Sequence, residues 1–485
     1  MASRNKPEHL QTKKKPFALI NIVLVVLVFL SLLGIRLYVN QMVTGDEPHY
    51  LLMTYSLVHD HDLNLRNNYL DNNYLSFYPN PGLGPQGNPA IINLNNPKVY
   101  SVHGFGLPLF LFTGFLIDAK NGAVVEMVLL ATLVIVLVYI WTYQVTKRRL
   151  YSYIGALLLL ICYFFNGVSG YIYPDMLIAA LSLGILIALN KYHRRVWAQV
   201  LLGFMMGFLV WVHFKTLDIV LPALVVESYL LYKSDRKLPW ISYGIFAVFI
   251  AYYYYTLRKW FGAWSIQETW GGQGSQPATL TASPLNTIPA MLFDVNRGLI
   301  VYQPICLLLF VGLAPWFKKN KRSFLIGTLV IVPSIFILSI YTQWYGGGAE
   351  TGRQIDDFLP AIFPAIPCAI MALKKPWQKI TVLILALLSL LVTLDATFSK
   401  FWIIDPSIRI AKPQLFTQIQ QNFHLNLSKF FLLYTNNTVL VSKYGPVKVV
   451  LVFVLIVALI YYGYWLAYKK SPAVRLYKFI RSSFV

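Results

Sequence analysis

The sequence has few charged residues for its length. Only 12% of its 485 residues are charged, about half the usual share for a soluble domain, whereas 57% are hydrophobic. A water-soluble fold of this length must cover a large surface with polar groups, and this chain lacks them. The composition therefore argues against a soluble enzyme and against a disordered protein.

Cysteine is also scarce. The three cysteines, Cys162, Cys306 and Cys368, lie in or beside apolar runs. Their spacing matches no metal-binding motif, and an odd number supports no complete pairing scheme. The sequence therefore argues against a disulfide scaffold, and we expect all three cysteines to be small apolar packing residues.

The chain is instead rich in long apolar runs. Residues 17–38 contain a single charge, Arg36, and as a helix they extend roughly 33 Å, enough to cross the hydrocarbon core of a bilayer. The run is longer than the apolar core of a signal peptide and shows no small-residue cleavage site, so we expect a retained transmembrane helix. The fold class predicted from these runs is an all-α polytopic membrane protein. It has about twelve transmembrane helices, near residues 17–38, 123–146, 151–167, 176–190, 197–213, 216–232, 238–256, 298–317, 323–341, 358–373, 380–397 and 447–468.

Acidic residues are outnumbered by basic ones, 19 against 41, which gives a formal net charge of +22. Most of the basic residues fall at the two termini and on every second short connection, around residues 147–149, 191–195, 233–237, 318–322 and 374–379. Cytoplasmic segments of membrane proteins carry such an excess of lysine and arginine. The positive charge therefore predicts an orientation with both termini in the cytoplasm, and it does not require a nucleic acid partner.

The opposite face carries most of the polar chain. A long first loop covers residues 39–122, two more cover 257–297 and 398–446, and a short one covers 342–357. The connections on the cytoplasmic side are only a few residues long. Because loops of this kind carry function, we expect the protein to act at the outer face of the membrane.

The first outer loop opens with an acidic pair, Asp46 and Glu47, followed by Pro48. An apolar stripe at helical spacing comes next and predicts a helix lying in the membrane interface. This stripe is formed by Leu51, Leu52, Tyr55 and Val58. The two acids either cap this helix or carry out chemistry at its amino terminus, and the two roles are compatible because a cap fixes a carboxylate in place.

Further short motifs follow in order along the outer face. They are SVHGFGLP at 101–108, YPD at 173–175, FD at 293–294 with RGL at 297–299, WYGG at 344–347, and GR at 352–353 before DDFLP at 356–360. With these motifs the chain resembles the GT-C superfamily of membrane glycosyltransferases, in particular bacterial proteins akin to protein O-mannosyltransferases and aminoarabinose lipid A transferases. The resemblance covers residues 17–400 and departs at Gln354, where relatives often have an aromatic residue.

The resemblance implies a GT-C-like fold with interfacial helices in the first outer loop. It implies a catalytic region over residues 1–400, followed over 401–485 by an outer loop, the last transmembrane helix and a basic cytoplasmic tail. The implied reaction transfers a sugar from a polyprenyl-phosphate carrier to a lipid, glycan or protein acceptor. The implied site is the outer face of a bacterial plasma membrane, in contact with membrane lipids.

The resemblance also implies roles for individual residues. An acceptor hydroxyl that attacks the anomeric carbon must lose its proton, which assigns Asp46 as the general base. Glu47 would orient the acceptor or a metal, and Asp175 stands where relatives carry a further acid. The leaving group is a lipid phosphate, which a guanidinium can bind through two hydrogen bonds. Arg353 is the first candidate for that contact and Lys215 the second.

Three of these assignments have structural alternatives. Asp175 follows a proline, and its alternative role is to cap the next helix without taking part in the reaction. Lys215 can extend its side chain to the membrane interface without touching a substrate. Arg353 can form a local salt bridge to Asp356 or Asp357.

Other outer residues are expected to contact substrate. They are His49, Tyr50, His103, Trp344, Tyr345 and Glu350. No cofactor is predicted, except that some members of the superfamily use a divalent ion, for which Glu47 and His49 would be ligands. The alternation of histidine and aspartate over residues 59–62 is either a second metal-binding candidate or solvated surface.

Two other functions are compatible with the sequence. A lipid-linked glycan transporter or flippase would need polar residues near the middle of the membrane and repeat symmetry, and neither is evident. A polymerase or ligase of the O-antigen type also acts on lipid-linked sugars, but its large loop typically comes late in the chain. The long first loop favours the glycosyltransferase.

Overall fold

The computed structural model describes most of the chain as a bundle of helices. The described residues are 15–39, 43–234, 239–270, 280–295, 297–342, 344, 355, 357–398, 414–426, 432, 434–435, 438–439 and 445–468. The α-helices are α1 Lys15–Val39, α2 Glu47–His59, α3 Arg66–Leu70, α4 Gly106–Thr146, α5 Arg149–Leu160, α6 Tyr163–Val168, α7 Asp175–Lys191, α8 Val196–Val212, α9 Leu217–Tyr232, α10 Trp240–Phe261, α11 Ile266–Trp270, α12 Pro284–Phe293, α13 Leu299–Tyr302, α14 Leu307–Lys319, α15 Lys321–Ile340, α16 Leu359–Ile362, α17 Ala365–Ala372, α18 Pro376–Phe398, α19 Gln414–Phe423 and α20 Gly445–Tyr468. Short 3₁₀ helices cover Asn73–Ser76, Phe214–Thr216 and Pro304–Cys306.

Among the residues that the structure describes, five helices are long and apolar enough to cross a membrane. They contain the stretches Leu19–Tyr38, Gly106–Thr146, Lys321–Ile340, Pro376–Asp395 and Val447–Tyr468. Large apolar side chains on these helices face away from the protein, as Leu24, Leu387 and Val454 do. Because water would penalise so much exposed apolar surface, the natural surroundings of these helices are lipid. The chain is an integral membrane protein.

Helix α4 is two helices that meet at a sharp bend. Asp118 and Ala119 have non-helical backbone angles between its two parts. The two parts approach so closely that a Cβ atom on Gly122 would lie 1.8 Å from the carbonyl oxygen of Gly114. Glu126 holds this contact by accepting a hydrogen bond from the Gly114 N–H at 2.9 Å. The first part therefore folds back to pack against the second.

Helix α2 is buried more deeply than an interfacial helix needs to be. Leu51 and Leu52 are fully buried, and so are polar residues of its first two turns. Helix α2 packs against α4 and against the 3₁₀ helix Asn73–Ser76 of the loop after it. Within that loop the Leu65 N–H bonds to the Val99 carbonyl at 2.7 Å. The protein itself thus covers the apolar stripe seen in the sequence, with Tyr55 and Val58 left partly exposed.

The central helices bring distant segments together at one end of the bundle. Helix α4 packs against α7 and α8, and α9 packs against α15. The indole N–H of Trp141 donates to the Ala361 carbonyl at 2.9 Å, which joins α4 to α16. As a result, the beginnings of α2 and α7, the 3₁₀ helix Phe214–Thr216 and residues 357–358 lie in one region.

A small β-hairpin lies in the last predicted outer loop. Strands β1 Tyr434–Thr435 and β2 Thr438–Val439 pair antiparallel, with Tyr434 opposite Val439. The sequence did not predict it. Two-residue strands leave too short an alternating pattern to be recognised.

Candidate active site

The predicted acidic pair begins helix α2 in a tight turn. Asp46 is the residue before the first helical turn, and its side chain makes no capping hydrogen bond. Gly45 has a φ of +58°, a conformation that favours glycine, and a Cβ atom there would lie 2.4 Å from the Tyr173 hydroxyl oxygen. The turn therefore favours glycine, and the Asp46 side chain is not a cap of α2.

Glu47 connects this turn to a distant segment of the chain. Its side chain is buried, and its two oxygens accept hydrogen bonds from the Thr44 N–H at 2.8 Å and the Ile172 N–H at 2.9 Å. Burial raises the pKa of Glu47, and the positive charges of Arg36 and Lys120 act to lower it. Such backbone hydrogen bonds fix a carboxylate in one position. The structure thus gives Glu47 a positioning contact within the fold.

The segment of residues 171–175 joins two parts of the candidate site. On one side the Tyr173 hydroxyl donates to the Thr44 carbonyl at 3.1 Å, and the Tyr171 ring lies 4.2 Å from the Arg36 guanidinium. On the other side Asp175 begins helix α7, without a capping hydrogen bond from the preceding residue. A shift of this segment would therefore move Asp175 relative to the Asp46 turn.

Lys215 lies between two buried carboxylates. Its Nζ atom is 2.7 Å from Asp357 Oδ2 and 3.5 Å from Asp175 Oδ1. The ammonium group therefore points into the protein and does not reach out to the membrane interface. Burial raises the pKa of Asp357 to about 7; Lys215 acts to lower it, while the nearby Asp175 and Asp218 raise it further. One lysine thus faces several acids, and the cluster holds an excess of carboxylates.

A cluster of histidine and aromatic side chains lies beside the acidic turn. His49 Nδ1 is 2.9 Å from the Tyr69 hydroxyl, and the His49 ring is 5.5 Å from that of His103. Tyr50 also contacts His103, with 5.1 Å between the ring centroids. Burial lowers the pKa of His49 to about 3, with a further decrease from His103 and an opposing effect of Asp46. His49 is therefore neutral at physiological pH.

His103 lines an aromatic cavity. Its Nε2 atom is 2.9 Å from Gln86 Oε1, and the Trp270 ring meets it edge-on at 5.5 Å. The cavity is also lined by His213, Tyr253, Trp260 and Phe105. Aromatic faces and a few polar groups are typical of sites that bind small molecules.

A wider groove of about 570 Å³ adjoins this cavity and shares Phe105 and Trp260 with it. Its other residues are of two kinds, apolar and polar. The apolar ones include Leu109, Trp211 and Tyr252, and the polar ones include Asp62, Asn64, Lys98 and Tyr100. Leu109 and Tyr252 are exposed on the apolar outside of the bundle. A single ligand in the groove would therefore contact both apolar and charged groups.

The structure brings together most of the predicted site residues that it describes. Glu47, next to Asp46, bonds to the segment 171–175, and Lys215 lies near Asp175 at the end of that segment. His49, Tyr50 and His103 form the adjoining ring cluster. Trp344 is buried, and its backbone N–H donates to the Tyr341 carbonyl at 3.2 Å in the turn after α15. Arg353, Tyr345 and Glu350 lie outside the described residues. Among the residues that are described, no group of three or more histidine, cysteine or acidic side chains is placed to hold a metal ion.

Two residues of the candidate active site were not identified from the sequence. Asp357 appeared there only as a possible partner of Arg353, and the structure pairs it with Lys215. Tyr173 was recognised as part of a motif but was given no role, although its hydroxyl contacts the acidic turn. The signal available in the sequence was that each residue is polar and stands close to an acid within a short motif. The partners of Asp357 and Tyr173 could not be found without knowing which helices are neighbours.

Comparison with known proteins gives a likeness of fold. The chain is similar to ArnT from Cupriavidus metallidurans bound to undecaprenyl phosphate, with a TM-score of 0.53, 14% sequence identity, and coverage of 94% of this chain and 77% of ArnT. The apo state of ArnT gives a TM-score of 0.50 at 14% identity, covering 93% of this chain and 76% of ArnT. The oligosaccharyltransferase AglB from Archaeoglobus fulgidus gives a TM-score of 0.43 at 12% identity, covering 90% of this chain and 62% of AglB. The predicted GT-C-like fold is confirmed by the similarity to ArnT.

No protein-family model matches the chain, and no curated protein matches it by sequence.

Proposed function

We propose that this protein is a glycosyltransferase that moves a sugar from a polyprenyl-phosphate carrier to an acceptor at the outer face of a bacterial plasma membrane. One observation carries the proposal. His103, which contacts Tyr50 in the helix that Asp46 precedes, lines the aromatic cavity, and this cavity shares Phe105 and Trp260 with the half-apolar groove. A lipid-linked sugar needs such a series: an apolar surface for the lipid, aromatic rings for the sugar and a carboxylate at the reacting carbon.

The groove suits the carrier lipid. Leu109, Trp211 and Tyr252 provide apolar contacts, and Lys98 provides a cation for a phosphate. ArnT, whose fold is similar, was solved with undecaprenyl phosphate bound. That likeness supports a polyprenyl phosphate as the partner of this chain.

Asp46 is the proposed general base. It removes the proton of the acceptor hydroxyl while the bond from the anomeric carbon to the carrier phosphate breaks. Glu47 positions the turn through its bond to Ile172. Lys215 is held by Asp357 and Asp175, so we assign it to positioning Asp175, and Arg353 remains the first candidate for the phosphate.

The proposed orientation follows from the helices and the charges. We infer about twelve spans, as predicted from the sequence, by counting α5–α6, α13–α14 and α16–α17 as one span each. With both termini in the cytoplasm, the starts of α2 and α7 lie on the outer side. The acidic turn then faces the compartment in which the acceptor is found.

Binding of the carrier tests this proposal. Undecaprenyl phosphate is added to the purified protein in detergent, and the bound lipid is measured by native mass spectrometry. Trp260→Ala, in the wall shared by cavity and groove, should weaken binding at least several-fold. Trp264→Ala is the matched control, because Trp264 is exposed and lines neither space. Equal binding by the wild type and Trp260→Ala would show that the lipid does not bind in this groove.

A deletion strain tests the reaction itself. Its envelope glycans and glycolipids should lack a sugar that expression of the wild-type chain restores. An unchanged set of envelope sugars in the deletion strain, under conditions in which the wild type is expressed, would contradict a glycosyltransferase.

A further inference from the structure

Three of the predicted cytoplasmic connections are joined at Gln144, a buried residue in the last turn of α4. The side-chain amide of Asn190, near the end of α7, donates to Gln144 Oε1 at 2.7 Å. The side-chain amide of Asn320, between α14 and α15, donates to the Gln144 backbone carbonyl at 3.1 Å. The connections after α4, α7 and α14 therefore meet at one place on the proposed cytoplasmic side.

A second set of hydrogen bonds holds the start of α15 against the connection after α7. Arg322 Nη2 donates to the Leu189 carbonyl at 3.3 Å and lies 3.0 Å from His193 Nδ1. Because a guanidinium group can only donate, Nδ1 of the buried His193 accepts this bond, and the ring is neutral. Burial and the charges of Arg322 and Arg194 lower the pKa of His193 to about 4. The ring therefore holds Arg322 in place without adding a charge of its own.

The three joined connections carry exposed basic side chains, which we call the basic face. Its members are Lys147, Arg148, Lys191, Arg194, Arg195, Lys321 and Arg322. The surrounding sequence contains no aspartate or glutamate over residues 127–174, 176–216 and 295–349. The parts of the chain that form this face therefore supply no carboxylate to it. Such a cluster of cations favours an anion as its partner.

The basic face lies at the level of the lipid headgroups. Lys147 and Arg148 alone separate α4 from α5, and Asn320 alone separates α14 from α15. Connections this short keep their side chains close to the membrane surface. Leu150 and Trp197 are exposed beside the cations, and exposed tryptophan next to basic residues is typical of a membrane interface. A soluble anion would not use these apolar side chains, so the surroundings favour a lipid.

We propose that the basic face binds the headgroup of an anionic phospholipid from the cytoplasmic leaflet. Basic pockets between membrane helices on this side recognise such headgroups. The guanidinium groups of Arg194 and Arg322 pair with the phosphate, and the acyl chains lie along the exposed apolar side chains. Because hydrogen bonds join the three connections, the bound lipid steadies the ends of α4 and α7 and the start of α15.

The proposal goes beyond sugar transfer and rests only on the orientation given above. Helix α7 begins at Asp175, in the candidate active site, and ends at Lys191, in the basic face. Its 17 residues extend about 25 Å. The two sites are therefore at opposite ends of the same helix and can be tested separately.

Lipid retention in native mass spectrometry tests the proposal. Phosphatidylglycerol and phosphatidylcholine with the same acyl chains are added in equal amounts to the purified protein in detergent. The wild type should retain phosphatidylglycerol in at least several-fold excess. The triple variant Lys191→Gln/Arg194→Gln/Arg195→Gln should lose most of this excess, because it removes the cations of one connection. Equal retention of the two lipids by the wild type, or an unchanged excess in the triple variant, would overturn the proposal.

The variant Lys374→Gln/Lys375→Gln/Lys379→Gln is the matched control. It removes the same charge from exposed positions around another predicted cytoplasmic connection, before and at the start of α18. It should keep the preference for phosphatidylglycerol. An equal loss in both triple variants would indicate a general attraction to this side of the protein and would contradict a site on the basic face. If the first triple variant fails to fold, Arg194→Gln alone should still reduce the excess, and no reduction would contradict the proposal.

Two further measurements separate this site from other ligands. A large excess of inorganic phosphate, compared with chloride at equal ionic strength, should leave phosphatidylglycerol bound, and displacement by phosphate would assign the face to a soluble anion. Trp260→Ala, which alters the groove proposed for undecaprenyl phosphate, should keep the preference for phosphatidylglycerol. Loss of that preference would place the phospholipid in the groove and contradict the basic face. Failure of the wild type to bind undecaprenyl phosphate, with the preference intact, would count against the proposed function alone.

Discussion

Lys215 and Asp357 form a close ion pair, with 2.7 Å between Nζ and Oδ2, that joins the 3₁₀ helix Phe214–Thr216 to the segment before α16. Asp175 lies 3.5 Å from the same nitrogen. The ammonium group thus connects three separate parts of the chain beside the candidate catalytic turn. Because the two carboxylates are buried, this connection matters more for stability than a surface ion pair would.

Removing the Lys215 ammonium group should leave the buried carboxylates of Asp357 and Asp175 without a compensating positive charge. We expect Lys215→Met to lower the free energy of unfolding by about 3 kcal/mol, because breaking a buried pair leaves an uncompensated charge. The double variant Lys215→Met/Asp357→Asn should recover most of that loss. Thermal unfolding of the purified variants in detergent measures both. Additive losses in the double variant would show that the two residues act independently.

The pH dependence of stability should differ between the wild type and Asp357→Asn. Burial raises the pKa of Asp357 from 3.8 to about 7, so the folded protein holds this proton more tightly than the unfolded chain. The resulting stabilisation is complete below pH 3.8 and is lost as the pH rises through 7. Relative to Asp357→Asn, the wild type should therefore become less stable from pH 4 to pH 7.

The comparison with Asp357→Asn is needed because another group acts in the opposite direction. The lowered pKa of His49 makes the folded state more stable as the pH rises through the same range. Subtracting the free energies of unfolding of the two proteins at each pH removes the contribution of His49. Parallel curves for the two proteins would contradict the pKa shift assigned to Asp357.

Gly45→Ala should destabilise the acidic turn. The positive φ costs alanine about 1–2 kcal/mol, and the added Cβ atom would also meet the Tyr173 hydroxyl. Tyr173→Phe in the same chain should relieve the collision and leave the backbone cost. Thermal unfolding of the two single variants and the double variant separates these contributions. A Gly45→Ala protein as stable as the wild type would show that the turn does not need its left-handed conformation.

The sequence predicted the parts of the site that depend on local pattern. The acidic pair at the start of a helix, the apolar stripe after it and the acid at the start of α7 all follow from residue order. The long apolar runs likewise predicted the membrane helices and the polytopic class.

The contacts between distant segments could not be predicted in the same way. The hydrogen bond from the Ile172 N–H to Glu47 and the ion pair of Lys215 with Asp357 depend on which helices are neighbours. Apolar periodicity shows that a helix has a buried face but not which helix covers it.

Sugar transfer by Asp46→Asn is the most direct test of the proposed mechanism. Purified protein in lipid vesicles is given the polyprenyl-phosphate sugar and acceptor that support transfer by the wild type, and the rate is measured under saturating donor. Asp46→Asn should fold normally, bind the carrier and lose about 10²–10⁴-fold in rate, as expected for a general base. Asp71→Asn, which changes an exposed acid in the same loop, should keep the wild-type rate. Full transfer by Asp46→Asn would contradict the account.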